Sequence, residues 1–194
     1  MSIHISTGNS KLGKIANISL PPGKACGKGV PCFACGKCYA LKAARQYPGT
    51  RKAWGDNLAA WRRSPSKYFT DIDAWITKHR PKYFRWHVAG DFQDQVYVQR
   101  VADMAFAHPG TEFLAYTKRH DLRMPWHTDN LTIIRSMWPG WGATNGWTGP
   151  CAWMQDNTED RVPKNAFVCP GKCGPCEYKC WGGLEGRDVV FNIH

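Results

Sequence analysis

Eight of the nine cysteines stand in two short runs near opposite ends of a 194-residue chain, Cys26, Cys32, Cys35 and Cys38 in the first and Cys169, Cys173, Cys176 and Cys180 in the second. Neighbours two to five residues apart aim several sulfurs at one point, so any fold must leave both runs as loops able to close on an inorganic centre. All eight are candidate metal ligands, with Cys151 as an alternate. The opening segment from Met1 to Lys11 has no basic, apolar and small-residue succession of a secretion signal. That implies a reducing cytoplasm, where close cysteines bind metal more often than they pair as disulfides. Cys173-Gly-Pro-Cys176 also has the form of a thioredoxin-type motif, but it lacks the preceding βαβ context and does not need Cys169 and Cys180.

Zinc ribbons separate two Cys-x-x-Cys pairs by roughly 15 to 20 residues, whereas each run here is ungapped, which points to iron–sulfur ligation with zinc as the alternative at one site. Cys32-x-x-Cys35-x-x-Cys38 repeats the close triple of ferredoxin-type ligation, although position 42 is Lys. The formal charge is +11. Two four-thiolate centres would lower it to about +7, still basic. A basic excess suits nucleic acid, and a host protein is the other partner class. No apolar run reaches the roughly 20 residues of a membrane span.

The 1–194 chain reads as a single α/β domain, with no repeat or linker. Lys14–Leu20 is expected to be a strand that leads into the first cysteine run, and 38–47 a helix. Two further helices are expected over 50–63, with Trp54, Leu58 and Trp61 on the core face, and over 66–79, with Phe69, Ile72, Trp75 and Ile76 inward. Strands at 82–89 and 112–117 flank a helix over 93–107, whose apolar positions include Val96, Val98, Val101, Met104 and Phe106. That is a βαβ unit, and Leu131–Met137 adds a strand. Each strand ends in polar residues, Gly90-Asp91, Thr117-Lys118 and Ser136, at the edge where parallel folds bind ligands. The stretch from Trp138 to Trp153 reads as a glycine-rich loop that covers a centre with its tryptophans. Asp91 is equally suited to capping the next helix and to contacting a cofactor, and His87 reads as a strand residue.

Gly8-Asn-Ser-Lys-Leu-Gly13, Leu20-Pro-Pro-Gly23, Cys38-Tyr-Ala40, His87-Val-Ala-Gly-Asp-Phe92, Tyr116-Thr-Lys118 and Cys176-x-x-x-Cys180-Trp181 together resemble the phage gene-product-88 domain family. That resemblance implies a phage or prophage protein. It places the chain in the cytoplasm of a bacterial host. A looser likeness carries more chemistry. A cysteine triple ending Cys-Tyr-Ala after the first strand, with a Gly-acidic step after a later one, is similar to radical S-adenosylmethionine enzymes. The likeness implies an abbreviated partial (β/α) barrel, or a small parallel sheet with helices, with cysteine-rich loops at both ends of the chain. Cys32, Cys35 and Cys38 would hold a four-iron cluster, and Gly90 and Asp91 would approach the methionine of S-adenosylmethionine. The first gap of this triple is one residue short of the radical-enzyme pattern. Cys26 as a fourth ligand would close the cluster to that chemistry and leave it electron transfer or a structural role. The competing expectation is a non-enzymatic basic factor whose centres are staples. No Walker loop, dinucleotide fingerprint or serine elbow is present.

Overall fold

The computed structural model describes residues 2–27, 29–34, 36–125, 127–142, 146–155 and 161–192. Its strands are β1 (Ile5–Ser6), β2 (Ala16–Ile18), β3 (Tyr83–Trp86), β4 (Glu112–Thr117), β5 (His127–Thr128), β6 (Leu131–Ser136), β7 (Cys151–Gln155), β8 (Phe167–Val168) and β9 (Val189–Asn192). The helices are α1 (Pro31–Ala34), α2 (Tyr39–Gln46), α3 (Pro48–Arg63), α4 (Pro65–His79) and α5 (Gln95–Ala107), with a 3-10 turn at Gly183–Gly186. All the strands join one sheet in the order β1-β2-β3-β4-β6-β7-β9-β8, with β5 pairing β6 alongside. Only β1 and β5 run antiparallel to their neighbours.

The parallel register explains why these short segments pair. Ala16, Phe84, Phe113 and Leu131 form one row across the sheet, and Ile18, Trp86, Ala115 and Ile133 form the next. Both rows are buried under the helices, and the small Ala115 beside Trp86 leaves room for the indole. Helices α3 to α5 supply the facing layer, where Trp61, Tyr68, Phe69, Tyr97 and Trp86 pack with ring centroids 4.8 to 6.3 Å apart. The aromatic positions expected on α3 and α4 point inward, Leu58, Trp61, Phe69, Ile72 and Ile76 fully and Trp54 and Trp75 in part.

Side chains of opposite parity face the other way, and there the cover is different. Leu114, Ile134, Ala152 and Val189 pack with Leu12, Ile15, Cys180, Trp181 and Leu184 from loops at both ends of the chain. Tyr83 stacks on Tyr178 at 4.4 Å. The second cysteine run is therefore part of the lid on this face of the sheet.

Two features add to the expected pattern and one corrects it. Val96 and Phe106 are 59% and 89% exposed because they lie on the outer face of α5, away from Val98, Val101 and Met104. The stretch after Trp138 is not loop throughout: Cys151-Ala-Trp153 opens β7, paired to β6 and β9. Finally, β8 and β9 join the sheet from the stretch around the second cysteine run. No helix is long and apolar enough to cross a membrane among the described residues.

Candidate functional site

The carboxyl ends of β2, β3 and β4 converge on the first cysteine run. Beyond β2, the Leu20 N–H donates to the Ala89 carbonyl at 2.9 Å, and the Asp91 N–H donates to the Ala25 carbonyl at 2.9 Å. The Gln93 amide adds a bond to the same Ala25 carbonyl at 3.1 Å. These bonds fix Ala25, and hence Cys26, against the turn after β3. Gly90 sits at φ +76, and a Cβ there would lie 2.6 Å from Leu20 Cβ and 2.9 Å from its carbonyl oxygen. The close approach of the two strand ends is what requires glycine.

Asp91 is buried and pins the ends of β3 and β4 together. Its Oδ1 accepts the Phe92 N–H at 2.8 Å and the Thr117 hydroxyl at 2.7 Å, while Oδ2 accepts the Lys118 N–H at 2.7 Å. Burial pushes its carboxyl above the ordinary value against the pull of these donors. The cap of α5 is instead Asp94, which accepts the Tyr97 N–H at 2.8 Å. The cap that the sequence allows for Asp91 thus falls to Asp94, three residues on, while Asp91 joins two strand ends.

Three sulfurs of the run share this corner. Cys26 accepts the Gly23 N–H at 3.4 Å, and burial raises its thiol, with Asp91 and Cys38 adding to the rise. The Cys32 thiol donates to Cys38, which raises Cys32 and lowers Cys38 to about 6. Cys38 precedes the first turn of α2 without a cap hydrogen bond, so the Ala40 and Leu41 N–H groups reach it as dipoles and favour its thiolate. Lys118 opposes the rise at Cys26 and Cys32 and reinforces the fall at Cys38. Among the described residues its ammonium has no hydrogen bond or ion pair of its own. Cys35 lies outside the described residues. Among those described, no three His, Cys, Asp or Glu side chains form a metal-binding group. The Cys26, Cys32 and Cys38 sulfurs and the Lys118 ammonium lie near enough to act on one another electrostatically.

A cleft of about 590 Å³ opens beside these sulfurs, lined by Cys26, Gly27, Lys118, Arg119, His120, Asp121 and Trp141. Arg119 braces it, with Nη1 donating to the Phe92 and Gln93 carbonyls at 2.7 and 2.8 Å and the rest of its fork on Asp121. His120 bonds the Ser136 carbonyl at 3.1 Å and leans on Trp141, ring centroids 4.8 Å apart. Burial lowers its pKa, with Arg135 second.

On the opposite face, the second run is held by backbone bonds from Cys169 to Val190 and from Cys173 to Lys11. Cys180 is buried, raised to about 11 by burial, and hydrogen-bonded to Tyr116. Tyr116 carries the Arg85 guanidinium on its ring at 4.9 Å. Arg85 holds down Cys173 and Cys180 on one side and Tyr39, next to Cys38, on the other. Arg85 thus acts on the second run and on Tyr39, the residue after Cys38.

The family model of Gene product 88 matches residues 4–140. The chain belongs to the Gene product 88 family, a phage family. No curated protein and no solved structure matches it. In this Gene product 88 chain the matched span contains the first run, Gly90-Asp91, Thr117-Lys118 and the cleft except Trp141. It excludes Cys151 and the second run.

Cys151 is buried in β7 among Met137, Trp153 and Val190. Its N–H bonds Asp188 at 2.8 Å, and burial raises its thiol to about 12. The charged groups acting on it are Asp188 and Arg135 and no cysteine, so it belongs to the core rather than to either run. His87 is likewise a core residue, its Nε2 on the Tyr97 hydroxyl at 3.0 Å. Of the tryptophans expected to cover a centre, Trp141 reaches the cleft while Trp153 packs under β7; positions 143–145 lie outside the described residues. Sequence reasoning missed Arg119 and His120. The signal available was the polar run Lys118-Arg-His-Asp121 directly after a core strand.

Proposed function

We propose that the chain is a phage iron–sulfur protein whose first cysteine run holds a cluster at the carboxyl edge of a radical-SAM-like core. The observation that favours this reading is that Cys26, Cys32 and Cys38 act electrostatically on one another and feel the Lys118 ammonium, which has no ion pair among the described residues. Cys32, Cys35 and Cys38 are the proposed ligands, and Cys26, in the same electrostatic corner, is the fourth. A cluster bound there would supply one-electron transfer or a structural crosslink.

The strand order supports the core assignment. From β2 through β3, β4, β6 and β7 to β9, each parallel strand lies beside its predecessor, the winding of a (β/α) barrel rather than of a doubly wound sheet. The sheet is open, ending at β1 and β8, so the relation is to an abbreviated barrel. Around the cluster the chain's own groups have separate tasks. Asp91 and Arg119 brace the loops, Lys118 balances thiolate charge, and Trp141 shields the cleft from water. The second run is proposed as another closed centre, iron–sulfur or zinc, sealing the face beneath Trp181. Thiolate ligation of this kind suits the reducing cytoplasm of a bacterial host.

Anaerobic purification tests the reading. Expected are iron matched by acid-labile sulfide, absorption near roughly 400 nm, and loss of both in Cys32→Ser and Cys38→Ser. Stoichiometric zinc without sulfide from iron-supplemented cultures would overturn the cluster. Added S-adenosylmethionine should leave the paramagnetic resonance signal of the reduced protein unchanged. A changed signal that survives Cys26→Ala would replace the closed cluster by one with an open iron.

A further inference from the structure

The charge of this chain is gathered at its beginning. Residues 1–55 contain seven lysines and two arginines and no aspartate or glutamate, and the first acidic side chain is Asp56. Lys52 spends its charge on that residue, with Nζ 2.6 Å from Asp56 Oδ2. Lys42, Arg45 and Arg51 are exposed and, among the described residues, have no ion pair. Lys42 and Arg45 line one cleft on α2, and Arg51 follows in the first turn of α3.

Helix α2 is built to present that surface. It buries only Ala40 and Ala44 and turns Lys42, Arg45 and Gln46 outward. Lys42, Arg45 and Gln46 line a cleft of about 540 Å³ with Gly36 and Leu41. An aromatic ring stands at each end of the helix: Tyr39 is 61% exposed and Tyr47 is 54% exposed. The Tyr39 hydroxyl is anchored on the Val88 carbonyl, so its ring is held in place rather than swinging freely. Eight residues at 1.5 Å each separate the two rings by about 12 Å along the axis.

We propose that this face binds single-stranded nucleic acid, with Lys42, Arg45 and Arg51 on the phosphates and Tyr39 and Tyr47 stacking on bases. Cations interleaved with exposed rings are the pattern that tracks a single strand, since stacking requires unpaired bases. An anionic membrane would need a broad apolar stripe beside the cations, and this face offers only the half-buried Leu41. The site uses no cysteine ligand and stands apart from the cluster reading.

The test is fluorescence anisotropy of a labelled 20-nucleotide single strand with the full chain across a salt series, iron content and thermal melting being checked for every variant. Lys42→Glu with Arg45→Glu should weaken binding tenfold or more at low salt and reduce the salt slope by roughly 1.4, for two phosphates lost. Tyr47→Ala should weaken binding about fivefold or more without changing the slope. Arg62→Glu with Arg63→Glu, matched in charge but about 17 Å further along α3 from Arg51, should change affinity less than threefold. Equal losses from the two charge pairs would overturn the site, leaving net charge alone. So would absence of binding at low salt, or variants that lose phosphatidylserine vesicles while keeping the oligonucleotide.

Discussion

Replacing Asp91 with asparagine separates a structural pin from a cofactor contact. The carboxylate accepts three hydrogen bonds, two on Oδ1 and one on Oδ2, and all three donors belong to the ends of β3 and β4. Asparagine keeps one oxygen, and so the Phe92 and Thr117 bonds, but sets its NH₂ against the Lys118 N–H. A bond to a charged acceptor is worth about 1.5–3 kcal/mol, and an orphaned buried donor costs about 1–3 kcal/mol more. Removing a buried charge returns part of this, because burial already raises the Asp91 carboxyl. The net expectation is a loss of about 2–3 kcal/mol. For a chain of this size that is a drop of about 4–12 °C in Tm. Urea unfolding followed by tryptophan fluorescence should show a lower midpoint at unchanged slope. Asp91→Ala, which orphans all three donors, should be worse still, and is therefore a poor probe of ligand contact. If Asp91→Asn were as stable as the parent, the pin argument would fail, and the carboxylate would need a role in binding instead.

Two further outcomes follow from the same region. Gly90→Ala combines a left-handed backbone with a Cβ 2.6 Å from Leu20 Cβ, and should cost about 2–5 kcal/mol in the same urea assay; a loss under 1 kcal/mol would mean the two strand ends separate easily. His87 is lowered to about 3, chiefly by burial and then by Arg85. It therefore stays neutral in the fold while the unfolded chain takes a proton below about pH 6.5, and stability should fall as pH drops from 6.5 toward 3. At pH 5.5 the loss is on the order of 1 kcal/mol relative to high pH. His87→Gln should remove that part of the pH dependence, and an identical profile for parent and variant would refute it.

The helical layer was legible because its periodicity is strong: Leu58, Trp61, Phe69, Ile72 and Ile76 all lie inward as their spacing requires. The β3-α5-β4 unit was legible for the same reason, and its parallel pairing follows. What failed was local. Cys151-Ala-Trp153 reads as loop because glycines and prolines precede it, yet pairing with β6 and β9 makes it a strand, tertiary context overriding weak propensity. The division of labour between Asp91 and Asp94 depends on a backbone turn that composition does not encode. The cysteine spacing drew attention to the first run, but Lys118, whose charge acts on its thiols, comes from another strand end 80 residues beyond Cys38.

The sequential winding of the sheet also bears on the order in which the protein is made. Every group that fixes the first cysteine loop, from Ala25 through Asp91 to Thr117 and Lys118, has been synthesised by residue 118, while the second run does not begin until Cys169. Strands β2, β3 and β4 pair in the order in which they emerge, each through a helical crossover already made when the later strand appears. On the ribosome, the first corner can form before the lid carrying the other cysteines exists. The second run then folds over a sheet whose first corner is already built.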